Sequence, residues 1–337
     1  RLEGRYTDKR HPDAITFAKT IEEDLSRRDF TVNAMAMKLD GLLIDPFGGK
    51  MDLERKSIRT VGVPEDRFGE DALRLMRAVR FAVELGFEIE LETRRAIEKK
   101  GGLLEMIAKE RIRDELIKIF MTPRAADGIF LLEELGLLRH VMPELRDGIG
   151  VDQNKHHIYT VFEHNVRSLD YAAQKGYPLA VRVAALLHDV AKPHTKKGEG
   201  SNSTFYGHEV VGARIAVAAL ERLRFPKDFI EHAAHLVRYH MFYYNVGEVT
   251  AAGVRRFLAR VGPENVPDLI KLREAERIGS GVPKAVPYKL RHFLFMIEKV
   301  KQDPISPKML KVKGDEVMRI ANIPPSPKVG RILGILL

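Results

Sequence analysis

The sequence predicts an α+β protein that is predominantly α. Residues 1–63 mix short strand-like segments with polar turns, whereas apolar residues recur at helical spacing from Pro64 almost to the end. Pro and Gly separate the helical segments, which is typical of a helical body with short connections. The predicted strands cover residues 2–6, 15–18, 41–44 and 57–61. The predicted helices cover residues 26–37, 70–84, 91–99, 110–122, 125–135, 158–174, 179–190, 209–222, 227–237, 254–261, 267–278 and 287–301.

The composition excludes several classes of protein. The chain has 337 residues, 45% of them apolar and 31% charged, so it is neither a disordered chain nor a membrane protein. Cys is absent, which excludes disulfides and leaves only His and carboxylate ligands for a metal. The longest apolar stretch, around residues 179–187, is too short to span a bilayer and contains Arg182. We therefore expect a cytoplasmic protein without a membrane anchor.

The net charge narrows the class of partner. The chain carries a formal net charge of +9, and a basic globular chain commonly binds polyphosphates or nucleic acid. The alternative is the Lys-, Arg- and Glu-rich composition of a thermophilic enzyme. The chain also opens within a strand-like segment and closes on the apolar run 332–337. We therefore expect residues to be missing at both termini.

Charged residues cluster on one face of the predicted helix 70–84. A helical projection places Glu70, Arg74 and Arg77 opposite the apolar face, with Asp71 and Arg80 on the flanks. An ordinary amphipathic helix with a Glu–Arg pair four residues apart would look similar. The basic residues of this face are all Arg, however, and a guanidinium can present two donors to a base edge or a phosphate. A nearby carboxylate adds the acceptors needed to read cytosine or adenine.

Three motifs in the first half of the chain resemble those of class II tRNA nucleotidyltransferases (CCA-adding enzymes) and bacterial poly(A) polymerases. They are IEEDLSRRDFTVNA at residues 21–34, DPFGG followed by Asp-Leu at residues 45–53, and EDALRLMRAVRF at residues 70–81. Their order and spacing match the family closely over residues 1–125. The resemblance implies the C-terminal part of a nucleotidyltransferase palm (head) domain at 1–63, a helical neck or RNA-binding domain at 64–148, and a helical tail at 283–337.

The same resemblance implies roles for residues of the third motif. Asp71 and Arg74 would select the base of CTP or ATP, and Glu70 would help to hold Arg74. Arg77 and Arg80 would face the triphosphate or the end of the tRNA. These roles make the charged face of this helix the predicted nucleotide site.

A second group of implied residues lies in the first motif. Arg28 would contact the incoming nucleotide, and Asp29 and Asn33 would shape the ribose side of the pocket, with Asp29 as the catalytic carboxylate of this segment. The alternative is a local ion pair between Arg28 and Asp29. The family also carries an Asp-x-Asp pair that holds Mg²⁺ for phosphoryl transfer. We expect that pair upstream of Arg1, since none precedes Arg28; otherwise the chain is not itself catalytic.

The second half of the chain contains a candidate metal site, within a unit predicted at residues 149–282. His188 and Asp189 end an apolar helix, and His164 lies on the helix before it. Glu276 projects from the apolar side of a later helix, where a carboxylate is costly unless it is paired or binds a metal.

These four residues, with His208 and His240 as further candidates, resemble the HD superfamily of metal-dependent phosphohydrolases. The resemblance implies a Mn²⁺, Ni²⁺, Fe or Zn²⁺ site in an HD-type helical domain. The family expects Asp as the fourth ligand, whereas this chain offers Glu276. The alternative is a set of hydrogen-bonded core histidines in a domain that has lost its chemistry.

The resemblance as a whole implies template-independent addition of CMP and AMP to the 3′ end of tRNA. ATP and CTP would be the substrates, Mg²⁺ the cofactor, and the acceptor stem and 3′ end of tRNA the partner. Two alternatives stay open. One is an A-adding or poly(A)-adding relative, and the other is a stand-alone HD phosphohydrolase whose polymerase remnant only binds RNA.

Overall fold

The computed structural model of the chain describes residues 2–3, 15–16, 18–153, 158–242, 244–300 and 310–336. Within these ranges the strands are short and form three two-stranded sheets, two antiparallel and the last parallel. Parts of the predicted strands 2–6 and 15–18 lie outside the described residues. The strands are β1 (Leu2–Glu3), β2 (Ile15–Thr16), β3 (Ala36–Met37), β4 (Leu43–Ile44), β5 (Ser57–Ile58) and β6 (Glu88–Ile89).

Helices dominate the rest of the described chain, which confirms the predicted α+β, predominantly α fold. They are α1 (Ile21–Ser26), α2 (Gly49–Glu54), α3 (Pro64–Glu70), α4 (Leu73–Leu85), α5 (Leu91–Lys100), α6 (Lys109–Met121), α7 (Ala125–Glu134), α8 (Leu138–Val141), α9 (Val161–Gln174), α10 (Leu179–Leu187), α11 (Lys192–Thr195), α12 (His208–Arg222), α13 (Lys227–Tyr239), α14 (Ala251–Val261), α15 (Val266–Gly279), α16 (Tyr288–Val300), α17 (Gly314–Ala321) and α18 (Pro327–Leu336). Short 3₁₀ turns link several of them.

Helix α10 lies at the centre of the second half of the chain. Residues 180–187 are all buried, and the helix packs against α9, α13 and α15. A helix that is apolar on all sides is typical of a protein core, which accounts for the apolar run in the sequence. Among the described residues, no helix is both long enough and apolar enough to cross a bilayer.

A buried arginine joins the helices before and after residue 150. Arg182 of α10 is 4% exposed, and its Nη1 donates to the carbonyl oxygens of Phe120 at 2.6 Å and Thr122 at 3.3 Å. Its Nε donates to the carbonyl oxygen of Tyr177 at 2.7 Å. The last carbonyls of a helix have no partner within the helix, so Arg182 satisfies the end of α6 and fixes it against α10.

The helix predicted over residues 26–37 is wrong. After α1 the chain forms a 3₁₀ turn and then strand β3. The Asp29 carboxylate accepts from the N–H of Phe30 at 3.2 Å, and the Thr31 hydroxyl donates to Asp52 at 2.5 Å. Phe30 also bridges to Thr60 as in an antiparallel sheet. Short polar side chains that bond to nearby backbone compete with a helix, and these contacts decide the competition.

Candidate nucleotide site and metal centre

The predicted helix 70–84 is interrupted where its candidate carboxylate lies. α3 ends at Glu70 and α4 begins at Leu73, with Asp71 between them in an extended conformation at φ −144° and ψ 104°. The Asp71 carboxylate accepts from the N–H of Leu73 at 3.0 Å. Asp71 therefore satisfies a free N–H at the start of α4, where the positive end of the helix dipole also favours an anion.

Arg111 of α6 holds the same carboxylate from the other side. Its Nη2 lies 2.7 Å from Oδ2 of Asp71, and its Nη1 lies 3.3 Å from Oδ1. The two side chains remain 32% and 26% exposed, so the pair is open to a ligand. The sequence analysis missed Arg111, because it lies on another helix and no spacing along the chain links it to Asp71.

The predicted pair of Glu70 and Arg74 is confirmed. Nη1 of Arg74 donates to Oε2 of Glu70 at 2.6 Å and to the carbonyl oxygen of Arg67 at 3.0 Å. Nη2 of Arg74 donates to the carbonyl oxygen of Arg27 at 3.2 Å. These acceptors come from both sides of the guanidinium and fix its plane, which a directional contact to a base edge requires.

Asp29 is buried, and both of its carboxylate oxygens are bound. Oδ2 accepts from Nε of Arg77 at 2.5 Å, and Oδ1 accepts from Nδ2 of Asn33 at 2.7 Å. Burial raises the pKa of Asp29, but the hydrogen bond and charge of Arg77 and the amide of Asn33 lower it more, so the net shift is downward. The structure thus brings three predicted residues into one network that ties α4 to the turn after α1.

Arg28 and Arg80 lie outside this network. Arg28 is exposed, with its Nη2 3.8 Å from Asp24, and Asp29 pairs with Arg77 instead of forming the local ion pair considered above. Arg80 is 12% exposed and forms an ion pair with Glu115 of α6 at 2.8 Å. Arg80 therefore holds α4 against α6, whereas the sequence predicted that it faces the triphosphate or the end of the tRNA.

Four helices converge on a His–Asp cluster, which consists of His164, His188, Asp189, His208 and His240. His164 lies on α9, His188 and Asp189 follow α10, His208 opens α12, and His240 follows α13. All five residues are buried. The cluster contains two sets of three possible metal ligands, and within each set the ligand atoms lie within 4.8 Å of one another. One set is His164, His188 and Asp189, and the other is Asp189, His208 and His240. The structure therefore brings five of the six metal candidates together.

Asp189 is the centre of the cluster. Its Oδ2 lies 3.3 Å from Nε2 of both His164 and His188, and its Oδ1 lies 3.2 Å from Nε2 of His208. Burial raises the pKa of Asp189, but the charges of His188 and Lys192 and the hydrogen bonds from the histidines hold it well below its usual value. The carboxylate is thus ionised.

Backbone contacts fix the orientation of three of the imidazoles. Nδ1 of His188, His208 and His240 lies 2.8, 2.6 and 2.7 Å from the carbonyl oxygen three residues earlier in each case. A carbonyl only accepts, so Nδ1 carries a hydrogen and Nε2 faces the cluster, where it offers a lone pair to a metal or, when protonated, a hydrogen to Asp189. The Nε2 atoms of His208 and His240 lie 3.3 Å apart. Two lone pairs at that distance repel, and either a proton on one nitrogen or a metal ion bound by both removes the repulsion, so the donor set accommodates a divalent metal as well as a proton.

The same atoms also bind protons. Burial lowers the pKa of His240 to about 3, so this imidazole is neutral. Burial lowers the pKa of His208 too, but the hydrogen bond and charge of Asp189 raise it more, and the net shift is upward. A proton and a metal would therefore compete for Nε2 of His208.

Glu276 lies beside the cluster but is already paired. Its two carboxylate oxygens each accept from Nη1 of Arg273 at 2.6 Å. Burial raises the pKa of Glu276, but Arg273 and the nearby histidines lower it more, to about 2. Both residues line a cavity of about 540 Å³ together with Asp189, Lys192 and His208. Lys192 donates to Oδ2 of Asp189 at 2.6 Å. The expected fourth ligand is thus an ion-pair partner of Arg273 here.

Three family models match the chain. The poly A polymerase head domain matches residues 1–59, the probable RNA- and SrmB-binding site of polymerase A matches residues 86–149, and the HD domain matches residues 161–275. Their order agrees with the palm, neck and HD-type units that the sequence motifs imply.

Curated relatives and a solved structure agree with these matches. The A-adding tRNA nucleotidyltransferase of Deinococcus radiodurans is 38% identical over 96% of this chain and 76% of that protein. The CC-adding enzyme of Thermus thermophilus is 37% identical over 94% and 73%. The CCA-adding enzyme of Bacillus stearothermophilus, solved in complex with CTP, is 28% identical with a TM-score of 0.67 over 95% and 70%. The chain therefore belongs to the family of tRNA nucleotidyltransferases and bacterial poly(A) polymerases, and it carries an HD domain.

Proposed function

We propose that this tRNA nucleotidyltransferase adds CMP and AMP to the 3′ end of tRNA and that Asp71 and Arg74 select the base. One observation carries the proposal. The carboxylate of Asp71 and the guanidinium of Arg74 lie three residues apart in the chain at the start of α4, and each is held by its own partner, Arg111 and Glu70. Polar groups that are fixed before the ligand arrives need not reorganise, so they discriminate well between hydrogen-bond patterns.

The pattern that this pair favours is the one shared by cytosine and adenine. Each of these bases presents an exocyclic amine next to an unprotonated ring nitrogen. The Asp71 carboxylate can accept from the amine, and the Arg74 guanidinium can donate to the ring nitrogen. Uracil and guanine present a carbonyl and a protonated nitrogen instead, so they would place acceptor against acceptor and donor against donor.

Asp29 fits a positioning role. Both of its oxygens are occupied by Arg77 and Asn33, so it is not open as a ligand for Mg²⁺. We therefore place Mg²⁺, which would stabilise charge on the triphosphate, on carboxylates other than Asp29. The Asp29 network fixes the wall of the pocket on its ribose side, and the exposed Arg28 remains available to contact the nucleotide.

The choice between C, A and both is the finer part of this proposal. The relatives that match almost all of this chain include one named A-adding and one named CC-adding, and the CCA-adding enzyme of Latilactobacillus sakei is 50% identical over 44% of this chain and 37% of that protein. Dual addition is supported by the base-reading pair, which accepts both bases. The alternative is an A-adding or poly(A)-adding enzyme.

The test is nucleotide incorporation by the complete protein. Three tRNA substrates would end before CCA, after the first C and after the second C, and each would be offered one nucleoside triphosphate at a time. Dual addition predicts CMP on the first two and AMP on the third. AMP on the third alone indicates an A-adding enzyme, and a long A tract indicates a poly(A)-adding one. No incorporation by protein that carries Mg²⁺ would contradict the proposal. Since the proposed substrate is tRNA, we expect the protein to act in the cytoplasm.

A second function is favoured by the His–Asp cluster, namely metal-dependent hydrolysis of a phosphoester in the HD domain. The supporting observation is the set of Nε2 atoms that face Asp189, each held in place by the backbone contact of its Nδ1. Mn²⁺, Ni²⁺, Fe or Zn²⁺ on this set would supply an activated water. Lys192 and Arg273 line the cavity and bring positive charge to the place where a phosphate would lie. Hydrolysis of bis(p-nitrophenyl) phosphate by the metal-loaded protein, lost in Asp189→Asn, is the test.

The two functions need not exclude each other, because their residues lie in different parts of the chain. A stand-alone phosphohydrolase would hydrolyse the phosphoester but bind CTP and UTP equally. Preference for CTP over UTP in a binding assay therefore supports the nucleotide site whatever the HD domain does.

A further inference from the structure

A second cavity lies between α13, α14 and α16, apart from both sites described above. Its volume is about 390 Å³, which lies within the range of small-molecule pockets. Met241 lines this cavity and also the one beside the His–Asp cluster, so the two are neighbours. Its walls combine aromatic rings with two arginines and one carboxylate, that of Glu248.

One face of α14 supplies the polar wall. Gly253, Arg256, Phe257, Arg260 and Val261 follow each other at helical spacing and all line the cavity. Arg256 and Arg260 are exposed. Throughout the part of the chain that the structure describes, neither guanidinium has a carboxylate partner or another hydrogen-bond partner. Two unpaired arginines one turn apart form a ready binding site for an anion.

The opposite wall is aromatic. Phe242 lies 5.3 Å from Phe257 and 5.5 Å from Phe293, measured between ring centroids, and Phe257 lies 5.2 Å from Phe293. Phe293 is buried, whereas Phe242 and Phe257 keep part of their surface open to the cavity. Partly exposed aromatic rings offer a surface on which a flat aromatic ligand can stack.

The glycine of this face leaves room for that ligand. A Cβ built on Gly253 meets only the hydroxyl of Thr250, at 3.4 Å, so a side chain there would project into the cavity without striking the backbone. The cavity thus has an open end beside Gly253, a flat aromatic surface and two cations at one edge.

We propose that this cavity binds a nucleotide unit, with the base stacked on Phe242 and Phe257 and the phosphate held by Arg256 and Arg260. The occupant combines a flat ring with an anion, which matches the aromatic surface and the arginines together. The unit comes either from a free mononucleotide or from an unpaired nucleotide of bound RNA. The site is independent of the base-reading pair at Asp71 and Arg74.

Photo-cross-linking with peptide mapping tests the proposal, because it separates this site from the nucleotide site of the first half. One arm uses 8-azido-AMP, and the other uses a ten-nucleotide single-stranded RNA carrying 4-thiouridine. We expect label on peptides that contain residues 239–242 or 257 in at least one arm. Label from 8-azido-AMP identifies a free nucleotide as the source, and label from the oligonucleotide alone identifies RNA.

Two variants test the walls. Arg256→Gln combined with Arg260→Gln removes the cations from exposed positions, and Gly253→Leu fills the cavity; each should lower labelling of these peptides about tenfold or more. Lys227→Ala removes an exposed cation from the far end of α13 and should leave labelling unchanged. The proposal is overturned if neither probe labels these peptides, or if both variants label as strongly as the wild type while their melting temperatures are unchanged.

Discussion

Arg111 and Asp71 form a two-point ion pair between α6 and the break that precedes α4, with N···O distances of 2.7 and 3.3 Å. Asp71 already accepts from the N–H of Leu73, so its carboxylate has contacts on two sides before any ligand binds. Arg111 therefore sets the direction in which the remaining lone pairs of Asp71 point. The base selection proposed for Asp71 would then depend on Arg111 as well.

Replacement of Arg111 tests this dependence. Arg111→Gln should reduce the preference for CTP over UTP by about tenfold, since a well-placed polar pair discriminates by about 1–3 kcal/mol and the variant leaves Asp71 free to turn. Arg111→Lys keeps the positive charge but cannot donate two parallel hydrogen bonds to the Asp71 carboxylate. It should therefore retain more of the preference for CTP than Arg111→Gln does. Equilibrium binding of CTP and UTP measures both. Arg95→Gln, which removes an exposed arginine paired with Glu92, is the matched control. Unchanged preference in Arg111→Gln would show that Asp71 needs no partner.

Replacement of Asp71 and replacement of Arg77 should affect different properties of the enzyme, namely base preference and overall rate. Asp71→Ala removes the acceptor for the exocyclic amine, so preference for CTP and ATP over UTP and GTP should fall by roughly one to two decades, equivalent to about 1–3 kcal/mol. Arg77→Ala leaves the base edge alone but breaks the Asp29 network, so all four nucleotides should lose rate together. Competition assays with the four triphosphates measure both effects. If Asp71→Ala keeps its full activity and its full preference for CTP and ATP, the start of α4 has no role in base selection.

Local spacing was enough to predict part of the nucleotide site. Glu70 and Arg74 stand four residues apart, so their ion pair follows from the geometry of one helical turn. The other acceptors of Arg74 are backbone carbonyls of Arg67 and Arg27, which no pattern in the sequence identifies. Arg111 was missed for the same reason, since only the packing of α6 on α4 brings it to Asp71.

The errors of the sequence analysis have physical causes of the same type. The helix over residues 26–37 was predicted from its apolar spacing, but the side chains of Asp29 and Thr31 bind backbone and Asp52 instead. In the HD domain the histidines proposed as ligands do lie together around Asp189, whereas Glu276 was considered without Arg273, three residues earlier. That pair lies at i,i+3 on α15 and could have been predicted from spacing alone.

The Asp29–Arg77 pair should make stability depend on pH. Burial raises the pKa of Asp29, but Arg77 lowers it more, so the folded value lies below the ordinary 3.8. A carboxyl with a lowered folded pKa stabilises the fold fully above its unfolded pKa, and this contribution is lost as the pH falls through the folded value. Arg77→Met should therefore lower the free energy of unfolding by about 2 kcal/mol at neutral pH and by less in acid below 3.8.

Urea unfolding at pH 7 and in acid measures this difference. The double variant Asp29→Asn with Arg77→Met is the control, because it removes the ionisable group along with its partner. Its stability relative to Asp29→Asn should not vary with pH. An equal loss for Arg77→Met at both pH values would show that the pair acts only through packing.

Metal binding distinguishes a working HD site from a buried histidine cluster. His188 contributes Nε2 at 3.3 Å from Asp189, so His188→Ala should abolish bound metal, whereas nucleotide addition in the other half of the chain should persist. His194→Ala is the matched control, because His194 is about half exposed and pairs with Asp147 at 3.1 Å, outside the cluster.

Elemental analysis of the purified protein measures the metal directly. A thermal scan gives a second readout, since a metal at a hundredfold excess over its Kd stabilises the fold by about 2.7 kcal/mol. The opposite outcome is a wild-type protein that contains no metal and whose melting temperature does not change with Mn²⁺, Ni²⁺, Fe²⁺ or Zn²⁺. The cluster would then be a set of buried histidines joined to Asp189 by hydrogen bonds, without a metal ion.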